Sequence, residues 1–331
     1  WIVRAIAPGF TDDAVKFQLT VDLTRIMFPY LILIALTAFQ VGILYSLNSY
    51  LVPSFGPCLL NIAMIVSAWV ACLFSWHLAY VLSVAVLIGG VLQFLAQWMA
   101  LKKRGVFWQK PTTLKNEGAK KIFSLMIPRL WGSGVYQINI MVDTLCASLV
   151  MIVGSGGVAA LYYAARIIQF PLGLFAYALS SVSLPTLSKM ATEGRMTEFK
   201  TTLEFALRNL MFILIPCALF LGLLSHWVIH LVFERGAFDA HSTKITAEVL
   251  MYSAIGLPFY GASRILASSF YALHDTKTPV QAATVSLIIN VILNILLMYP
   301  LKVGGIALAS SIASIANTGM LWIALNKKLK V

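Results

Sequence analysis

The chain has 331 residues, of which 60% are hydrophobic and 11% charged, and its 24 Lys and Arg exceed its 12 Asp and Glu to give a net charge of +12. Soluble domains carry about one quarter charged residues, and the mean hydropathy here is +0.87, so the composition excludes a soluble globular or disordered protein. It points to an all-α integral membrane protein, with the positive charge to be explained by topology before any nucleic-acid partner is invoked.

About 20 apolar residues cross a bilayer as a helix, and nine stretches meet that length, near 22 to 46, 57 to 75, 78 to 101, 121 to 150, 155 to 188, 205 to 233, 245 to 271, 279 to 300 and 304 to 326. Pro29 interrupts the first. The fourth holds Asp143, the one carboxylate in the interior of a long apolar run (Ile138 to Val153), and has Arg129 after Pro128 near one end. Arg166 and Pro171 lie in the fifth, Arg208 and Pro216 in the sixth, Pro258 and Arg264 in the seventh. The eighth carries Asn290 and Asn294, and the ninth Ser310 and Ser314. The fourth to seventh stretches exceed one bilayer thickness, which requires tilt, kinks or extension into water. Each internal proline frees a backbone carbonyl for a neighbour, water or ligand.

Alternate loops divide the basic residues unequally. One side collects fourteen, at Lys102, Lys103, Arg104, Lys110, Lys115, Lys120, Lys121, Lys189, Arg195, Lys200, Lys277, Lys327, Lys328 and Lys330, and the other five, at Arg4, Lys16, Arg235, Lys244 and Lys302. The richer side is predicted to face the cytoplasm, where anionic membrane lipids supply the counter-charge. Arg25 and Arg208, near span ends, are expected to snorkel, whereas Arg166 and Arg264 sit deeper and need a polar cavity or a partner. Cys58, Cys72, Cys146 and Cys217 lie in apolar runs without metal-ligand spacing and read as packing residues. The start at Trp1 reads as that of an excerpt from a longer protein.

A weak internal repeat organises the spans. Leu44-Tyr45-Ser46-Leu47-Asn48 with Pro57 matches Phe270-Tyr271-Ala272-Leu273-His274 with Pro279, and the segment from Trp98 to Lys103 matches that from Trp322 to Lys328, at nearly the same offset. Spans one to three then correspond to spans seven to nine in the same orientation, as in transporters built of two parallel bundles. The predicted architecture is a polytopic helical bundle transporter of two parallel, pseudo-symmetric six-helix lobes with the first truncated. Residues 1–110 form the second half of the N-terminal lobe (three spans) and residues 111–331 the C-terminal lobe (six spans).

A charge at the bilayer centre costs about 2.5 to 3.5 kcal/mol on insertion scales and persists where it binds an ion, a proton or a basic partner. Asn290 and Asn294 share a helical face, as do Ser310 and Ser314. If these faces meet Asp143 they form an all-oxygen site suited to a small hard cation such as sodium. The alternative is that the asparagines and serines bond across helices, and that Asp143 carries a proton.

Six motifs carry a family resemblance. Phe55-Gly56-Pro57 with Leu60-Asn61-Ile62, Tyr162-Tyr163 with Arg166 and Phe170-Pro171-Leu172-Gly173, Leu184-Pro185 with Leu187-Ser188, Glu234-Arg235-Gly236 with Phe238, Asp275-Thr276-Lys277-Thr278-Pro279, and Gly305-Ile306-Ala307-Leu308-Ala309 resemble the MviN/MurJ lipid II flippases of the MOP exporter superfamily. The resemblance runs over nearly the whole chain. It implies a 14-helix protein whose fourth to twelfth helices match the nine spans. It also implies export of the lipid-linked peptidoglycan precursor lipid II across the bacterial inner (plasma) membrane, by alternating access driven by membrane potential or sodium.

By the same resemblance Arg166 stands for a cavity arginine that engages the diphosphate of lipid II, with Arg264 and Arg129 as further substrate-binding candidates. Asp143, Asn290, Asn294 and Ser310 match a sodium site. Asn294 occupies a position where the family also uses Asp, and Ala165 one where many members carry an acid. The family's other essential arginines belong to its first two helices, outside this sequence. Guanidinium forks suit a diphosphate, which they bind bidentately. An enzyme acting on polyprenyl diphosphate would need clustered carboxylates for magnesium, which a single Asp143 does not supply. The competing reading is a related MOP exporter of other lipid-linked oligosaccharides or drugs.

Overall fold

The computed structural model describes residues 2–106 and 134–329, and every element among them is helical. The chain divides into two compact units, Trp1–Val3 with Thr11–Glu117 and Arg4–Phe10 with Gly118–Val331. The boundary expected at 110/111 and the substrate candidate Arg129 both lie outside the described residues.

In the first unit, α1 (Ala14–Met27) and α2 (Tyr30–Ser46) share the first predicted span, broken where Pro29 contributes no N–H. Next comes α3 (Leu51–Leu73), which begins six residues earlier than expected. Pro53 falls in its first turn, where an N–H has no intrahelical partner, so the helix can start ahead of it, while Pro57 lies inside the helix and leaves the Pro53 carbonyl without its N–H. Opposite it, α4 (Leu78–Lys103) approaches closely at two glycines. A Cβ on Gly89 would lie 2.6 Å from Leu60 Cδ1, and one on Gly90 2.7 Å from Tyr30 Cδ2. Gln93 Nε2 donates to the Gly56 carbonyl at 3.0 Å, tying the buried amide of α4 to the backbone of α3.

The second unit holds α5 (134–148), then α6 (Gly157–Pro171), a π-helical stretch Leu172–Tyr177, and α7 (Ala178–Thr192). Pro171 leaves the Ile167 carbonyl without its N–H, and the helix widens immediately after it. The sixth predicted span resolves into α8 (Met196–Leu223) and a separate short α9 (Ser225–Phe233), with the break at Leu224 while Pro216 stays inside α8. At about 1.5 Å per residue α8 alone exceeds the roughly 30 Å hydrocarbon core. It is followed by α10 (Ala240–Ala272) and by Lys277–Leu329, which is two helices, α11 (277–301) and α12 (303–329), meeting at Lys302 (φ 50, ψ −130). Gly305 is needed at this hairpin because a Cβ there would strike the Leu297 carbonyl. Seven described helical segments are long and apolar enough to cross a membrane, with α1–α2, α6–α7 and α11–α12 each counted as one.

The middle of the second unit is α10, whose buried face includes Leu250, Leu257, Ile265, Leu266 and Phe270. Its seam with α12 repeats every seven residues. Ser311 Oγ donates to the Tyr252 carbonyl at 2.7 Å and Thr318 Oγ1 to the Phe259 carbonyl at 3.0 Å. A Cβ on Gly256 would sit 2.7 Å from Ser311 Oγ, so the small residue permits the approach that these bonds require. Cys58 and Cys72 differ from the expectation of packing residues. They are exposed, as apolar thiols on a lipid-facing surface can be, while Cys146 is buried.

The repeat seen in the sequence has a geometric counterpart. Asn48 (φ 54) and His274 (φ 57) take the left-handed conformation at matching helix ends. Behind them Ser49 N–H bonds the Leu44 carbonyl at 2.8 Å and Asp275 N–H the Phe270 carbonyl at 2.9 Å, the six-to-one closure of a helix C-terminus. Each turn is held by a base from the last helix of its group: Arg104 Nη1 donates to Leu47 O at 2.7 Å, and Lys328 Nζ to Asp275 Oδ2 at 2.7 Å.

Asp275 also caps α11, accepting from Lys277 N, Thr278 N and Thr278 Oγ1. Burial pushes its carboxyl up, but the bonds from Lys328 and Thr278 outweigh burial and hold it at about 2. Because the folded value lies below the unfolded one near 3.9, the stabilisation is complete above pH 4 and lost as pH falls through about 2. Asp275→Asn should therefore lower unfolding stability at pH 7 by roughly 1 kcal/mol, the scale of a cap with a partly exposed ion pair. In detergent melts the gap from wild type should close between pH 4 and 2; a gap that stays constant over that range would show that ionisation is not its source.

Candidate substrate and ion site

Four of the polar residues singled out in the sequence converge within the second unit. Asp143 projects from α5, Asn290 and Asn294 from α11, and Ser310 from α12 just past the Lys302 hairpin. Asn294 Nδ2 donates to Asp143 Oδ1 at 2.7 Å, and Ser310 Oγ to Asp143 Oδ2 at 2.9 Å. Asn290 Nδ2 donates to Ser310 Oγ at 3.0 Å, and Asn294 Nδ2 also reaches Asn290 Oδ1 at 3.0 Å. Both asparagines are fully buried, and Asp143 and Ser310 are partly so.

The i,i+4 spacing of the asparagines is what stacks both amides on one side of α11. The sequence missed one participant: Asn139, one turn before Asp143, places Nδ2 3.4 Å from Oδ2. That spacing was available as a signal. Ser314, which shared a face with Ser310, is buried without a hydrogen-bond partner and does not join the cluster.

The arrangement has one unsatisfied acceptor, since Asn294 Oδ1 is buried with no partner. Rotating that amide by 180° exchanges Oδ1 with Nδ2, a change that leaves its shape unaltered. Each asparagine can then present an oxygen toward Asp143. With the carboxylate and the Ser310 hydroxyl, the set offers one full negative charge and three neutral oxygen donors, the composition that suits a small hard cation.

The arginine candidates are placed differently. Arg166 on α6 is exposed, with Nη2 donating to Tyr162 Oη at 2.6 Å and its guanidinium carbon 4.6 Å from the Tyr162 ring centroid. Arg264 on α10 is also exposed, donating to Tyr177 Oη at 3.0 Å with its guanidinium carbon 3.6 Å above that ring. Among the described residues neither has a carboxylate partner. Tyrosine hydroxyls and ring faces orient a guanidinium while leaving its charge uncompensated. Tyr162 stood in a motif with Arg166, but nothing in the sequence joined Tyr177 to Arg264, 87 residues apart.

Transporters of known structure share this fold. A solved structure described as the inward-facing conformation of a multidrug resistance MATE family transporter of the MOP superfamily matches 99% of this chain and 77% of its own, with a TM-score of 0.79 at 17% identity. That likeness shows the fold class: an all-α, polytopic membrane bundle with the architecture of that transporter. A second structure, "Lipid II flippase MurJ, inward closed conformation", matches at TM-score 0.85 and 29% identity over 98% of this chain and 66% of that one.

The family model "Lipid II flippase MurJ" matches residues 1–331. The probable lipid II flippase MurJ of Rhizobium tropici is 35% identical over 98% of this chain and 60% of its own length. The lipid II flippase MurJ of Burkholderia cenocepacia is 34% identical over 99% of the chain and 64% of its own. The chain belongs to the MurJ family of lipid II flippases, membrane transporters rather than enzymes. It spans 60 to 64% of the length of these two relatives.

The short Asn294 to Asp143 bond makes a testable coupling. Asn294→Leu removes a charge-assisted donor from a partly buried carboxylate and should cost about 1–3 kcal/mol. Asp143→Leu in the Asn294→Leu background should cost less than Asp143→Leu alone, because the bond is already gone. Chemical unfolding in detergent measures both; strictly additive losses would show that the contact carries no energy.

Proposed function

We propose that the whole protein moves lipid II, a polyprenyl diphosphate carrying a peptidoglycan precursor, from the inner to the outer leaflet of a bacterial inner membrane. The observation that carries this reading is Arg166, a guanidinium about 14 Å along a membrane helix from its Gly157 end, held by Tyr162 and by no carboxylate among the described residues. A fixed cation at that depth is unfavourable unless an anion visits it. A diphosphate meets a guanidinium fork through paired charge-assisted bonds. Arg264, oriented by Tyr177 in the same manner, is a second substrate contact of this reading, and membership in the MurJ family supports lipid II over other lipid-linked anions.

Transport by alternating access follows the logic of two bundles biased between states by ligand binding. In this reading sodium is the coupling ion, held by Asp143, Asn290, Asn294 and Ser310. Its binding joins α5 to the α11–α12 hairpin, and its departure leaves the Asp143 charge to be met by the Asn294 and Ser310 donors. The membrane potential adds about 2.3 kcal/mol per elementary charge per 100 mV to any charge that moves.

In a bacterium depleted of its own flippase, the full-length protein with Arg166→Lys should support growth weakly, because the charge remains without the bidentate fork. Arg166→Ala should fail while the protein stays inserted and abundant. Full rescue by Arg166→Ala would remove the arginine from the mechanism.

The ion assignment is tested separately. Binding stabilises the competent state by RT ln(1 + [L]/Kd), so sodium should raise the thermal midpoint of purified protein above that in potassium at equal ionic strength, and Asp143→Asn should abolish the difference. A wild-type midpoint indifferent to sodium across the range in which the carboxylate is ionised would reject sodium and leave Asp143 as a proton-binding or structural group.

A further inference from the structure

A groove of about 470 Å³ opens in the wall of the second unit, with neither Asp143 nor the tyrosine-held arginines among its lining residues. Three helices line it at helical spacing: α8 with residues 204, 207, 208 and 211, α10 with 259, 262 and 266, and α12 with 315, 318, 319 and 322. Its volume is in the roughly 300–1,000 Å³ range of ligand sites. The lining is graded along the membrane normal. Glu204, Arg208 and Trp322 lie within a few residues of the span ends that carry Lys200 and Lys327, whereas Met211, Phe259 and Ile315 lie deeper.

At about 1.5 Å per residue, Arg208 and Trp322 are each roughly 5 Å inside the edges predicted at 205 and 326. That is the depth where lipid headgroups meet acyl chains and where Trp is favoured. Glu204 and Arg208 are one turn apart and both exposed, yet neither pairs with the other or with any described charge. An unpaired acid beside an unpaired base at the polar mouth of an apolar groove is complementary to a zwitterion. An anionic headgroup would bond Arg208 and be repelled by Glu204, and a quaternary choline ammonium has no N–H to donate to the carboxylate.

We propose that this groove holds one aminophospholipid of the cytoplasmic leaflet, a phosphatidylethanolamine, with its phosphate on Arg208, its primary ammonium on Glu204 and an acyl chain along Met211, Phe259 and Ile315. Gly319 provides the means to block it. A Cβ on Gly319, a lining residue, meets nothing within 4 Å, so a side chain can be introduced at the groove wall without a clash at its first atom.

The test uses native mass spectrometry of the full-length protein, released from nanodiscs with equal parts of dioleoyl phosphatidylethanolamine, phosphatidylglycerol and phosphatidylcholine. Wild type should retain one phosphatidylethanolamine at least fivefold over either competitor. Gly319→Phe should lose the retained lipid while its melting temperature in lipid-free detergent stays that of wild type. Glu204→Gln should abolish the preference over phosphatidylglycerol, and Arg208→Gln should lower retention of all three. Equal retention of the three lipids by wild type, or a preference indifferent to Gly319→Phe and Glu204→Gln, would overturn the proposal. So would a protein that carries no lipid while Trp322→Cys is shielded from alkylation in detergent, which would place another protein segment in the groove.

Discussion

A carboxylate inside a membrane bundle has to be met on every side, because the hydrocarbon around the bundle offers it no water. Asp143 is met by Asn294 and Ser310 at 2.7 and 2.9 Å, with Asn139 further off and Asn290 behind them. These contacts bind α5 to α11 and α12 through residues 151 and 167 apart in the chain. The hairpin at Lys302 and the glycine at 305 are what let α12 turn back so that Ser310 faces the same point as Asn290. The same demand for satisfaction gives the cluster its capacity for change: the donors that quiet the carboxylate are amides and a hydroxyl, groups that can present oxygen instead.

Packing against α10 uses a different device. Apolar surface gains nothing by leaving lipid for a protein interface, so helices in a bilayer associate through close contact and hydrogen bonds. Gly256 lets α12 approach, and the hydroxyls of Ser311 and Thr318 reach backbone carbonyls of α10 one heptad apart. A serine or threonine bonded to a backbone carbonyl holds register without placing a charge in the membrane. Alongside the lower part of this seam, toward the Lys327 end, the groove is lined by Phe259 of α10 and by Ile315, Thr318, Gly319 and Trp322 of α12.

Much of this was legible in the sequence because the bilayer simplifies it. Length and hydropathy locate spans, and i,i+4 pairs of Asn and Ser stand out against aliphatic residues, so Asp143, Asn290, Asn294 and Ser310 stood out as candidates before any coordinates, while their meeting was a condition that only the family resemblance supported. What periodicity does not encode is partnership across the chain. Tyr177 under Arg264 depends on which surfaces meet, and the break between α8 and α9 at Leu224 falls two residues past Gly222, a mark that the apolar run around it conceals. Ser314 shows the converse error: it has the spacing of a site residue but its buried hydroxyl makes no bond to the cluster.

The repeated turn explains why a weak sequence similarity survived to be noticed. Asn48 and His274 must both adopt positive φ, and the carbonyls exposed behind them are closed by the same six-to-one bond. Yet the closing cation differs in kind. Arg104 bonds a neutral carbonyl, whereas Lys328 bonds Asp275, which also caps α11, the helix that carries Asn290 and Asn294. The second turn is thus an electrostatic anchor for the helix that supplies both amides to Asp143, while the first is a backbone lock with no ionisable site behind it. Two turns with one geometry have therefore been given unequal chemistry, and the charged version lies in the unit where a helix has to be held in register against a buried carboxylate.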